Sequence, residues 1–204
     1  MAQRLNLTRP ELKRQRDLLR RFSHYLPMLK LKLQILQVAL QKTEAQFLKI
    51  QDELSLLETR FKTYSTIIRE CSGVNLAAAV KPSEIRKGYE NIGGVEVPYF
   101  EQVIFDPIEY DLFETPAWVD GAILDLREFS ALHATEVVLH QRYDILKKEL
   151  ARALQRVNLF EKVKIPAAQE AIRRIRIQLG DEMAAAVARA KAAKAKITQR
   201  VDYD

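Results

Sequence analysis

The sequence predicts a mainly α-helical fold: a long antiparallel two-helix coiled coil with a small central β-hairpin. Three observations predict it. The first is a ladder with steps alternating three and four: Leu19, Phe22, Leu26, Leu29, Leu33, Leu36, Leu40, Thr43, Phe47, Ile50, Leu54, Leu57, Phe61, Tyr64 and Ile68. Thr43 alone in it is neither apolar nor aromatic. Steps averaging 3.5 residues are the period of a helix wound around a partner, and at 1.5 Å per residue the stripe runs for roughly 75 Å. A helix of that length does not fit inside a compact domain of this size and needs a partner stripe. The second observation is that partner: Phe129, Leu132, Glu136, Leu139, Tyr143, Leu146, Leu150, Ala153, Val157 and Phe160 repeat the same steps. The third is the intervening segment, where short strand-like runs flank Gly93-Gly94. Two stripes joined by such a segment bury each other most simply as an antiparallel hairpin.

The expected organisation is one elongated domain over residues 1–204. A first long helix covers 9–70, a middle segment covers 71–115, and a second long helix covers 116–198. Thr8-Arg9-Pro10-Glu11 marks the first helix start as a capping box, with Thr8 as cap and Glu11 three residues on. Pro10 then sits in the first turn, where no intrahelical donor is lost. Pro27 falls inside the ladder, which keeps its phase across it, so a bend near 23–27 is expected rather than a stop. Cys71-Ser72-Gly73 supplies an end, and a short apolar helical piece is expected over 74–80, before Pro82.

In the middle segment, Tyr89-Glu90-Asn91-Ile92 and Val95-Glu96-Val97 read as strands around the diglycine turn, within a hairpin region of about 84–105. Pro98 belongs at an edge or end of the second strand. A lone two-stranded hairpin is marginal and should lean on a helix or a partner. Residues 106–114 form an acidic, aromatic connector. Thr115-Pro116 restarts a helix, with Thr115 as cap and Pro116 in the first position. Pro166 interrupts the second ladder, and a bend is expected there. The pattern resumes at Ala168, Ile172, Ile175 and Leu179, shifted in phase by one residue. The chain then turns Ala/Lys-rich, helix-favouring but weakly apolar, and this end should overhang the shorter first helix.

Composition excludes several function classes. One cysteine, Cys71, rules out an internal disulfide and fits a reducing compartment. No apolar run approaches the roughly 18 residues that cross a bilayer, and the N-terminus lacks the apolar core of a signal peptide. The net charge of +6 conceals a polarity: residues 1–70 carry +7, residues 71–128 carry −7 and residues 129–204 carry +6. With the two chain ends together, one pole is basic and the other acidic.

No catalytic constellation emerges. There is no Gly-Lys-Ser/Thr phosphate loop, and Gly93-Gly94 is a turn signal. His24, His133 and His140 are scattered and read as surface or interface residues. Cys71 has no basic or histidine neighbour in sequence to activate it. Asp52-Glu53 reads as a solvated helix face. No catalytic residue, cofactor or metal is expected. The basic clusters Lys13-Arg14-Gln15-Arg16, Arg20-Arg21 and Arg173-Arg174-Ile175-Arg176 fit a charged outer face without further role, an acidic protein surface or, least, nucleic acid.

Three stretches carry a family likeness. The opening Asn6-Leu7-Thr8-Arg9-Pro10-Glu11-Leu12, the hairpin Asn91-Ile92-Gly93-Gly94-Val95-Glu96-Val97-Pro98 and the run Arg156-Val157-Asn158-Leu159-Phe160-Glu161-Lys162-Val163-Lys164-Ile165-Pro166 are the residues concerned. On these the chain resembles the D subunits of V-type (V/A-type) ATPases and ATP synthases, the rotor subunits of the central stalk. Leu159-Phe160 departs from the family's usual Ala-Leu. The resemblance implies a non-catalytic axle inside a hexamer of catalytic and nucleotide-binding subunits. It implies the small F subunit of the stalk and the socket subunit above the membrane ring as further partners. It implies ATP synthesis or hydrolysis coupled to proton or sodium transport, at the cytoplasmic face and peripheral to the membrane, with no nucleic acid bound and no membrane insertion. Partner contacts are expected at Thr8, Arg9, Arg156, Asn158, Glu161, Ile165, Pro166, Arg173, Arg174 and Arg176. A static coiled-coil tether or adaptor is the alternative function.

Overall fold

The first ladder folds as one helix, α1 (Arg9–Ile68), of 60 residues with Pro27 inside it. The computed structural model describes residues 6–68, 80–107, 115–116 and 118–201. The expected helix end around Gly73, most of the apolar piece at 74–80 and the connector at 108–114 lie outside the described residues. After α1 come strands β1 (Pro82–Asn91) and β2 (Glu96–Phe105), helix α2 (Trp118–Asn158), a π-helical turn (Leu159–Lys164) and helix α3 (Ile165–Val201). The chain is thus mainly helical with one small antiparallel sheet, the class the ladders predict.

Burial follows the ladders. Every rung of α1 from Leu19 to Phe61 is buried or half-buried, whereas Met28, Leu31, Val38, Leu48 and Leu56 between the rungs are exposed. Thr43, the polar rung, is buried, and its hydroxyl donates to the Ala39 carbonyl one turn back at 2.9 Å. That bond satisfies the one polar group the seam would otherwise strand. Glu11 makes its contacts forward along the helix: Gln15 donates to its carboxylate at 2.8 Å and Arg14 pairs with it at 3.7 Å. The Thr8 carbonyl accepts from Leu12 N–H at 3.0 Å, which places Thr8 at the helix boundary.

The chain forms two compact units. Residues 32–152 make one of them. Within it, α1 and α2 run antiparallel: Phe47 meets His140 at a ring-centroid distance of 6.5 Å, and further along α1 Phe61 meets Phe129 at 6.3 Å. Leu36, Leu146 and Val138 are almost wholly enclosed. The second helix is described from Trp118, and the carbonyl of Pro116 accepts from Val119 N–H at 3.0 Å. Its first turns bury Val119, Ala122 and Ile123, upstream of the ladder the sequence displays.

The hairpin of this unit turns where the diglycine predicts. Ile92 and Val95 exchange both backbone hydrogen bonds, at 2.8 and 3.1 Å, around Gly93 and Gly94. Both glycines have positive φ, 59° and 78°. This is the left-handed pair that a two-residue hairpin loop demands. The strands are longer than the expected 89–92 and 95–97, pairing from Asn91 with Glu96 out to Pro82 with Phe105. β1 is largely exposed and the pairing has irregular register between Arg86 and Lys87, so no clean alternation announces the full strands. Pro98 lies within β2, on a strand that is an edge because the sheet has two strands. The hairpin does lean on helices. Gly93 lies against Ile35 of α1, Lys87 donates to Gln141 at 3.3 Å, and Glu90 pairs with the largely buried Arg142.

Residues 1–31 and 153–204 make the other unit. Here α1 meets the end of α2, the π-turn and α3. Phe22 and Phe160 pack edge to face at 5.3 Å, and Lys30 pairs with Glu161 at 2.8 Å. Ala153, Val157, Ala168, Ile172 and Ile175 are buried. The π-turn explains the phase slip in the second ladder. Ile165 N–H donates to the carbonyl of Phe160, five residues back rather than four. One extra residue is therefore taken into the turn, so Ala153 and Val157 before it and Ala168 and Ile172 after it share the seam. Pro166 follows immediately. It has no N–H to give, and its ring would crowd the carbonyl four residues earlier in a regular helix.

Truncating Leu146 to Ala, at a position with 0% exposure, should cost about 2–5 kcal/mol in urea unfolding, whereas Leu48→Ala at 61% exposure should stay within about 0.5 kcal/mol. Equal costs would contradict the seam. The π-turn buries none of its residues. Its amides should exchange hydrogen about tenfold faster than those of the α-helical turns on either side; uniform protection across 150–175, read by mass spectrometry, would contradict the five-residue bond.

Candidate partner-binding surface

The residues expected to meet partners fall into three settings, all in the unit formed by residues 1–31 and 153–204. Thr8 and Arg9 stand exposed at the start of α1. Arg156 is exposed in the last turn of α2, and Asn158, half-buried, ends that helix with helical backbone angles, φ −61° and ψ −41°. Glu161, Ile165 and Pro166 belong to the π-turn and its exit. The Glu161 carboxylate is held by Lys30, Ile165 is half-buried and closes the turn through its N–H, and Pro166 is exposed. The signature run is therefore a local backbone device, in which a register change and a proline occupy consecutive turns.

The third setting is a groove of ≈ 630 Å³ between α1 and α3. Arg16 and Arg20 line it from α1, Arg173 and Arg176 from α3, with Leu19, Ile172, Ile177 and Gln169 between them. The helical periods account for this. Arg16, Leu19 and Arg20 share one face of α1 at spacings of three and four, and Ile172, Arg173 and Arg176 share one face of α3. No acidic residue lines the groove. Arg174 is not part of it: its guanidinium is turned to Glu170, one turn back, at 3.0 Å.

The structure thus brings Arg173 and Arg176 together with Arg16 and Arg20, and Glu161 together with Lys30. It does not bring Arg174, Thr8, Arg9, Arg156 or Asn158 into the groove. Arg16 and Arg20 are visible in the sequence as parts of basic clusters. Their membership of this face depends on how the two helices are set against each other, which neither stretch reveals alone.

Among the described residues no three His, Cys, Asp or Glu side chains come together as a metal site. His133 sits 3.3 Å from Glu136 and His140 3.4 Å from Asp144, as separate pairs on α2. No helix among the described residues is long and apolar enough to cross a membrane.

Comparison with known proteins shows the family. A family model described as the ATP synthase D subunit matches residues 11–195. The V-type ATP synthase D subunit of Borreliella burgdorferi is 36% identical over 97% of this chain and 96% of its own length. The proteins of the same name from Chlamydia felis and Chlamydia muridarum are 32% and 31% identical, each over 98% of this chain and at least 97% of their own. The matched span takes in the helical seams, the diglycine hairpin and the π-turn, and the chain belongs to the family of ATP synthase D subunits.

Proposed function

We propose that this chain is the non-catalytic rotor of the central stalk in a V/A-type rotary ATPase or ATP synthase. The observation that carries the reading is the family match across residues 11–195 on a chain whose two stripes pair with each other. A stalk that transmits rotation must resist twisting. Side chains interlocked along a seam couple two helices, so that neither turns without the other. The chain does no chemistry in this reading. Nucleotide sites lie in the catalytic and nucleotide-binding subunits of a surrounding hexamer. The coupling-ion ligands, for protons or sodium, lie in the membrane ring. The chain works at the cytoplasmic face, with the chain ends toward the hexamer, the hairpin end toward the membrane, the socket subunit below and the small F subunit of the stalk beside it. The alternative is a static coiled-coil tether or adaptor, which would self-associate through its stripes; the pairing of α1 with α2 within the chain supports the rotor.

Coexpression with the catalytic hexamer and the F subunit tests the rotor. The chain should copurify with both at low and at moderate salt; recovery with neither would defeat the assignment. The hairpin is proposed to modulate ATP hydrolysis or to contact the F subunit. Deleting residues 90–98 should therefore change the ATPase rate of the assembled complex or weaken retention of the F subunit, each by about tenfold if the energy of one hot-spot contact is lost. An assembly unaltered in both respects would refute that role.

A further inference from the structure

We propose that the arginine groove of α1 and α3 seats a carboxylate-rich polypeptide segment of a partner, one carrying an apolar side chain among its acids. The inference rests on the rotor reading for where that partner is met, and on the groove itself for what the partner is. Four guanidinium groups, from Arg16, Arg20, Arg173 and Arg176, surround one depression, and no carboxylate lines it. Glu11 is engaged with Arg14 and Gln15, Glu161 with Lys30 and Glu170 with Arg174, and Asp17, beside Arg16 on α1, does not line the groove. Within the described residues none of the four has a hydrogen bond or an ion pair of its own.

Gathering four like charges at one place opposes folding modestly and brings no compensating contact inside the chain. Each guanidinium presents a planar fork that matches a carboxylate with two parallel hydrogen bonds. Between the forks lie Leu19, Ile172 and Ile177, the last 55% exposed, which offer a dry seat for an aliphatic side chain. No aromatic ring lines the groove. Single-stranded nucleic acid is held by stacking bases on such rings as well as by charge, so the lining favours an acidic polypeptide.

The specificity within the arginine run is the distinctive consequence. Arg173, Arg174 and Arg176 are close in sequence, yet Arg174 does not line the groove and should be dispensable. The isolated full chain is titrated with a synthetic glutamate-rich peptide bearing interleaved leucines, followed by fluorescence anisotropy at low salt. The quadruple variant R16Q/R20Q/R173Q/R176Q should bind at least about tenfold more weakly than the parent, and R174Q should bind as the parent does. Circular dichroism checks that helix content is unchanged, and if the quadruple variant loses helix, the double variant R173Q/R176Q is compared with R174Q instead. Equal losses in the groove variant and R174Q would overturn the proposal, as would no loss in the groove variant. Tighter retention of a single-stranded oligonucleotide of matched charge would also overturn it, in favour of nucleic acid.

A second measurement uses assembly with the catalytic hexamer. Neutralising the groove should slow association at low ionic strength, with the difference shrinking as salt rises. An assembly rate and salt dependence equal to the parent's would refute the groove while leaving the rotor intact. If the parent chain itself fails to assemble, the rotor reading falls, and the peptide titration decides the groove alone.

Discussion

The structure depends on one geometric requirement: a seam repeating every 3.5 residues has to stay in contact with its partner along the whole length of the pairing. A regular α-helix has 3.6 residues per turn and drifts away from such a seam unless it is wound around its neighbour. Helices with polar outer faces gain little stability alone and rely on packing along one stripe. The wholly enclosed side chains, Leu36 and Leu146 in one unit and Ile175 in the other, mark where that stripe is tightest. Thr43 shows how strict the requirement is. Its polar group is accepted in the seam because the adjacent turn of its own helix satisfies it.

Electrostatics is arranged around the seam rather than within it. The ion pairs Lys30 with Glu161, Arg174 with Glu170 and Arg14 with Glu11 are exposed on at least one side, and pairs of that kind contribute about 0–1 kcal/mol each. Their greater effect is to decide which charges are left over. Glu170 absorbs Arg174, and its neighbours Arg173 and Arg176 remain available. The hairpin shows the same division. The Glu90–Arg142 pair fixes its position on α2, while the conformational demand of the turn falls on Gly93 and Gly94.

Much of this is legible in the sequence because the seams are written as simple periods. The antiparallel pairing, the diglycine turn and the leaning of the hairpin on helices all follow from residue spacing and elementary turn chemistry. The phase slip near Pro166 is legible as a slip, but periodicity alone does not say how the backbone absorbs it. Strand lengths are not legible, since β1 is largely solvent-exposed and the irregular register of the pair breaks alternation. The groove is the least legible feature. Its arginines come from two distant stretches, and the relative setting of two helices is a property of the packed seam.

The extra residue taken up between Phe160 and Ile165 also gives the second arm a reading frame. Elsewhere in α2 or α3, removing one residue would turn everything downstream by about 100° and carry buried side chains out of the seam. Within the π-turn, the same loss would restore ordinary helical geometry with both flanking seams still facing α1. The chain thus has a place where its length is adjustable by one, set between two stretches where it is not.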